Sequence, residues 1–143
     1  AGVSIACVQK FRGSTPILGV CLGHQVIVEA LGGVVLQSNE PRHGRMSSIM
    51  HECTDLFSGI SNPMSACRYH SLIVEEQSLP ETLQVTARTQ DGVIMAIGNR
   101  HEHLYGVQFH PESILGDVVT GMLGAFVTRC ARSSLAALAG GST

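Results

Sequence analysis

The sequence predicts an α/β domain, a parallel sheet with added β hairpins and flanking helices. Three observations predict it. Pro16 to Val20 is a short apolar run that passes straight into a stretch of helical period. Six further strand-like runs follow, separated by Gly, Asn, Pro and Asp. A second helical stretch closes the series. A chain of 143 residues suits one domain of ordinary size. We expect that domain over residues 1–132, with the Gly/Ser-rich residues 133–143 as a flexible tail or a linker.

Each element has its own warrant. Ala1 to Phe11 carries Val3, Ala6, Cys7 and Lys10 at roughly helical spacing, which predicts a helix ending near Gly13. Pro16 to Val20 reads as a buried strand of the parallel kind, with Pro tolerated as its first residue. Leu22 to Leu31 places Leu22, Val26, Ile27, Ala30 and Leu31 at the helical period, and Gly32-Gly33 supplies a left-handed cap. Strands are expected at Val34–Gln37, Met46–Met50, Ala66–Tyr69, Leu83–Arg88, Val93–Ile97 and Leu104–Phe109. Asp91-Gly92 marks a hairpin between two of them. Asp117 to Arg132 returns to helical spacing through Val118, Met122, Ala125, Phe126 and Arg129.

Composition narrows the function classes. The net charge is -2, which gives no electrostatic case for nucleic acid. No apolar run reaches the ~20 residues that span a membrane, and nothing reads as a signal peptide. Five cysteines, an odd number without small-domain spacing, argue against a disulfide framework and for a reducing, cytoplasmic compartment. The mean hydropathy of +0.22 is high for a chain with 14% charged residues. The first residue is Ala1. Together these fit either a processed protein or a fragment whose apolar surface is covered by something else.

The stretch Gly19-Val20-Cys21-Leu22-Gly23 is G-x-C-x-G, the cysteine form of a nucleophile elbow. A strand turning sharply into a helix strains its corner residue. The residues two before and two after then crowd each other, which favours glycine at both. The corner side chain emerges at the carboxyl edge of the sheet, where α/β proteins place their sites. It also stands at a helix N-terminus, whose dipole favours thiolate over thiol. Cys7, Cys53, Cys67 and Cys130 have no such frame and read as small buried hydrophobes.

A thiolate nucleophile needs a base and a group to orient that base. The stretch GVQFHPES, Gly106 to Ser113, offers both. His110 follows an apolar strand, and Glu112 two positions on points the same way in extended backbone. A carboxylate beside an imidazole fixes its tautomer and stabilises its cation. Other histidines are weaker candidates. His101-x-His103 lies in a polar turn without a second ligand pair, and His51 is no better placed. His24, in the first turn after Cys21, either faces the site or packs beneath it. His-Pro-Glu fits the H-x-E of zinc deaminases, but their P-C-x-x-C partner is absent from the sequence. No phosphate-binding glycine loop of Walker or Rossmann type occurs. No metal and no cofactor are therefore expected.

PILGVCLGHQ (Pro16 to Gln25), RYHSL (Arg68 to Leu72) and GVQFHPES together resemble the triad-type, or class I, glutamine amidotransferases. HGRMSSI, from His43 to Ile49, resembles a stretch of the subgroup that serves anthranilate synthase and aminodeoxychorismate synthase. The resemblance implies a flavodoxin-like, three-layer parallel sheet with added hairpins. It implies that Cys21 attacks the carboxamide of L-glutamine, that His110 relays protons and that Glu112 orients His110. Leu22 would give one oxyanion donor through its backbone N–H. Gln25 matches the family position that contacts substrate glutamine. Ser71 and Leu72 match those whose backbone holds its amino-acid end. The partner implied is a chorismate-using synthase that receives the ammonia, as a separate chain or a fused domain.

The sequence also departs from the family pattern. Family members begin with strands and a Gly-Pro-Gly loop that supplies the second oxyanion donor, and no such loop occurs here. We therefore expect an N-terminally incomplete copy, lacking those strands and weak as a glutaminase by itself. Two alternatives stand beside the amidotransferase: a module that only binds the synthase, and another elbow-cysteine hydrolase such as a peptidase.

Overall fold

The computed structural model describes residues 2–110 and 120–130, and within these the backbone alone at 40–45 and 69–70. Glu112, the tail expected at 133–143 and both ends of the last expected helix lie outside the described residues. The elements run α1 (Gly2–Phe11), β1 (Ile17–Val20), α2 (Leu22–Ala30), β2 (Val35–His51), β3 (Met64–Val74), β4 (Gln84–Thr89), β5 (Ile94–Asn99) and β6 (Leu104–Val107). A helix at 120–130, α3, follows.

The local signals act as their chemistry requires. Gly13 takes φ 82° just past α1. At the end of α2, Gly32 N–H bonds to Glu29 O at 3.1 Å and Gly33 N–H to Val28 O at 2.8 Å. Gly32 sits at φ 92°, so the pair completes the two-bond left-handed cap that the sequence predicts. Gln9 Nε2 of α1 also donates to Ala30 O at 3.2 Å, satisfying another terminal carbonyl of α2. Between β4 and β5, Gly92 stands at φ 90° in the expected hairpin.

The strand order is β1-β6-β5-β4-β2-β3. β1 and β6 are parallel, as the sequence predicts, but β1 is only partly buried, with Gly19 alone of its four residues fully covered. The other four pairings among the described residues are antiparallel. Parallel pairing is thus confined to the pair separated by most of the chain, while β4, β5 and β6 follow one another through short connections that only antiparallel pairs permit. The sequence predicts two strands at Val34–Gln37 and Met46–Met50. They are the two ends of β2, 17 residues long. Register shifts between Gln37 and Arg42 and between His43 and Arg45 carry the strand past Pro41 and Gly44. β3 likewise runs beyond the expected Ala66–Tyr69 at both ends.

Two cores lie on the two faces of this sheet. Val8 of α1 and Ile27 and Val28 of α2 pack on Val74, Leu83, Ile94, Ile97 and Leu104. Met122 and Phe126 of α3 pack with Tyr105, Val107, Phe109, Phe57 and Met95 on the other face. Alternation along β6 sends Leu104 to the first core and Tyr105 and Val107 to the second. The result is three layers, with β6 buried on both sides. No helix among the described residues is long and apolar enough to cross a membrane.

Candidate active site

The corner between β1 and α2 is built as the G-x-C-x-G pattern requires at one glycine and not at the other. Cys21 has φ 55° and ψ -102°, a conformation rare outside glycine. A Cβ added at Gly19 would sit 2.5 Å from the backbone carbonyl of Gly23 and 2.7 Å from Ile27 Cδ1. Glycine is therefore obligatory at 19. A Cβ at Gly23 would meet nothing within 4 Å, so crowding does not explain the second glycine. The asymmetry is geometric: the Gly19 Cβ direction points at the first turn of the helix, whereas that of Gly23 points away from the strand.

The corner is then tied to β6. Cys21 N–H donates to Val107 O at 2.8 Å, extending the parallel pairing by one bond beyond Val20. Gln25 N–H returns to Cys21 O at 3.2 Å and starts the helix. The Cys21 side chain makes no capping bond to that helix. It is half-buried, and its sulfur accepts a bond from Gln108 Nε2 at 3.7 Å. Gln108 Oε1 in turn accepts from Gln25 Nε2 at 3.2 Å. Leu22 is the first residue of α2, where first-turn N–H groups have no acceptor within the helix. Leu22 itself is 69% exposed.

The predicted residues fall into three groups. Cys21, Leu22 and Gln25 share the β1–α2 corner. His110 is half-buried and lies two residues beyond Gln108, on the chain leaving β6. Ser71 and Leu72 lie on β3, with Leu72 opposite Gln37 of β2. β3 also lies near α2, and its last residue, Val74, packs in the core that α2 covers. Glu112 falls outside the described residues. His24 packs beneath the corner: it is fully buried, and a Cβ at Gly106 would lie 2.8 Å from its Nδ1.

Gln108 is the residue that sequence reasoning missed. A polar side chain in the buried run from Leu104 to Phe109 was the available signal, because such a group must find partners.

A concavity lies away from this corner. A cleft of about 620 Å³ is lined by Glu52, Asp55, Gln84, Asn99, Arg100 and Glu102, among others. It lies at the opposite end of the sheet, where β5 ends and β6 begins. Several of its charges are held in ion pairs. Asp55 pairs with Arg100 at 2.9 Å and with Arg129, and Glu102 pairs with Arg12 at 3.0 Å. It contains no elbow and no thiol. The chemistry of the molecule points to the Cys21 corner.

Comparison with known proteins bears on that corner. The family model for glutamine amidotransferase class-I matches residues 1–130. Anthranilate synthase component 2 of Pseudomonas aeruginosa is 49% identical over 132 residues, which cover 89% of this chain and 66% of that protein. Aminodeoxychorismate/anthranilate synthase component 2 of Bacillus subtilis is 46% identical over 127 residues, 89% of this chain and 66% of that one. Bifunctional protein TrpGD of Thermotoga maritima is 52% identical over 115 residues, 80% of this chain but 20% of that protein. The chain thus spans about two thirds of the component 2 relatives and a fifth of the bifunctional one. Among solved structures, a glutamine amidotransferase of Thermotoga maritima superposes with a TM-score of 0.64 at 17% identity. That match covers 91% of this chain and 54% of that chain, and it bears on the fold alone. A Thermoplasma acidophilum protein provisionally assigned to GMP synthase superposes with a TM-score of 0.79 at 22% identity, over 91% of this chain and 65% of that one.

Proposed function

The chain belongs to the class I glutamine amidotransferases, and from that premise we propose that it is the glutaminase half of a chorismate-using synthase. The Cys21 thiolate attacks the side-chain carbonyl carbon of L-glutamine. The C–N bond breaks, His110 gives a proton to the departing nitrogen, and ammonia leaves behind a glutamyl thioester. Water, deprotonated by His110, then displaces the sulfur and glutamate is released. Glu112 orients His110. The Leu22 N–H stabilises the oxyanion of both tetrahedral intermediates. Gln25 contacts the glutamine side chain, and the backbone of Ser71 and Leu72 holds its amino-acid end. No cofactor enters either step.

The observation that carries this reading is the Cys21 corner. A half-buried thiol stands at a helix start, in strained backbone, over a glycine that nothing else can replace. The relatives are named for both anthranilate and aminodeoxychorismate synthesis. We favour anthranilate synthase, with aminodeoxychorismate synthase as the alternative. The glutaminase half handles the same amide in both. Five free cysteines are in keeping with a reducing, cytoplasmic setting.

The test is covalent labelling by a glutamine-mimicking electrophile, read by peptide mass spectrometry with and without the synthase. We expect an adduct at Cys21 that excess glutamine prevents, and none in Cys21→Ser. Indiscriminate labelling of all the cysteines, or none at Cys21 even with the synthase bound, would sink the catalytic reading. It would leave a module that only binds its partner.

A further inference from the structure

Gln108 is 2% exposed, and a buried carboxamide is costly unless its donor and acceptor ends are both used. Here both are used. Its oxygen takes the N–H of Gln25 at 3.2 Å, which leaves its nitrogen to face the Cys21 sulfur at 3.7 Å. Its backbone cannot drift, because Gln108 N–H donates to Met95 O at 2.8 Å in the centre of the sheet. The neighbouring Val107 O holds Cys21 N–H at 2.8 Å. Sulfur and carboxamide are therefore anchored to the same two residues of β6 and its exit.

We propose that Gln108 is a positioning residue for Cys21, with Gln25 holding the other end of its carboxamide. The inference rests on Cys21 as the nucleophile. An N–H aimed at sulfur holds the side chain in one rotamer and favours the anionic form. A carbonyl oxygen aimed there would do the reverse. Gln25 matters because its side-chain N–H occupies the carboxamide oxygen of Gln108 and leaves the nitrogen as the end that meets the sulfur. The same side chain is the candidate contact for substrate glutamine. Any movement of Gln25 toward substrate would be felt at the thiol through Gln108.

The experiment follows alkylation of each cysteine of the full chain by iodoacetamide, with exposed Cys7 on α1 as the internal reference. Gln108→Met keeps length and apolar packing but removes the donor. We expect the Cys21 rate to fall about fivefold relative to Cys7, the effect of one ordinary hydrogen bond. Gln108→Glu presents only acceptors. It should slow Cys21 further and move its alkylation-against-pH curve to higher pH while leaving that of Cys7 in place. A residue that merely fills space would not move that curve. Gln25→Met should slow Cys21 by less, and the double variant Gln25→Met/Gln108→Met should be no slower than Gln108→Met alone. Gln25→Met also carries the test if Gln108→Met does not fold. The proposal is overturned if Cys21 keeps its wild-type rate and pH curve in the folded Gln108 variants, or in Gln25→Met where those do not fold. Protection of wild-type Cys21 by glutamine is scored separately. Its absence would count against the glutaminase reading and not against the positioning of the thiol.

Discussion

Cys21 and Cys53 share an unusual backbone, with φ of 55° at one and 57° at the other. Each sulfur also accepts a carboxamide N–H, from Gln108 at 3.7 Å and from Asn62 at 3.5 Å. Their surroundings separate them. Cys21 joins a strand of the parallel pair to a helix of nine residues, over a glycine that cannot carry a side chain. Cys53 is exposed in a turn closed by side-chain bonds. Its N–H goes to His51 Nδ1 at 3.0 Å, and Asn62 brackets His51 by bonding its N–H at 3.1 Å and its carbonyl at 2.8 Å. Only a three-residue 3-10 turn follows. Positive φ at a cysteine is thus a means of turning the chain. It marks a candidate site only where the turn launches a helix from a sheet and the packing behind it leaves no other solution.

The sharpest way to break this comparison is at the glycines. Gly19→Ala forces a methyl against the Gly23 carbonyl, and we expect a loss of about 3 kcal/mol in urea unfolding. Gly23→Ala meets no neighbour and should change stability by less than about 1 kcal/mol. Equal losses from the two would show that the corner is not held by crowding at Gly19. Asn62→Ala tests the other turn. Removing its bonds to His51 should cost about 1–3 kcal/mol. Alkylation of Cys53 should change and that of Cys21 should not, as read by peptide mass spectrometry.

The smallest effect is expected at Tyr105, whose buried hydroxyl has no hydrogen-bond partner among the described residues. Burial, and then the charge of Asp55, push its phenol above the ordinary 10.0. A raised folded value means a contribution present below the unfolded value of about 10 and lost as pH rises toward the folded one. Melting scans between about pH 9 and pH 11 should therefore show a steeper alkaline loss for wild type than for Tyr105→Phe. At neutral pH the variant should be unchanged or more stable by up to about 1 kcal/mol, since an unpartnered hydroxyl is no asset in a core. A marked destabilisation there would reveal a partner for the hydroxyl.

The corner was legible because its signals are local. Gly19, the apolar run before Cys21, the helical period after it and the Gly32-Gly33 cap each act within a few residues. The hairpin at Asp91-Gly92 was legible for the same reason. The long β2 was not. Its middle, from Ser38 to Arg45, contains Pro41 and Gly44 and has little strand propensity, so it reads as a loop. It is extended because β3 lies alongside it, and pairing with a partner outweighs local preference. The sheet's predominantly antiparallel pairing was hidden likewise, since strand-like runs do not declare which neighbour they will take. Gln108 was hidden by its setting in GVQFHPES, where the eye goes to His110 and Glu112. Its role depends on Cys21, 87 residues away, which no local pattern can announce.

That separation has a consequence for the order of events on the ribosome. The backbone of Cys21 is completed by a bond to Val107, and its sulfur by one to Gln108. Until those residues have emerged and paired, the corner has neither its backbone bond nor its sulfur contact, and β1 is a strand with an open edge. The turn that carries Cys21 is made early in the chain and closed only when β6 arrives. Completion of the sheet and completion of the corner are one event.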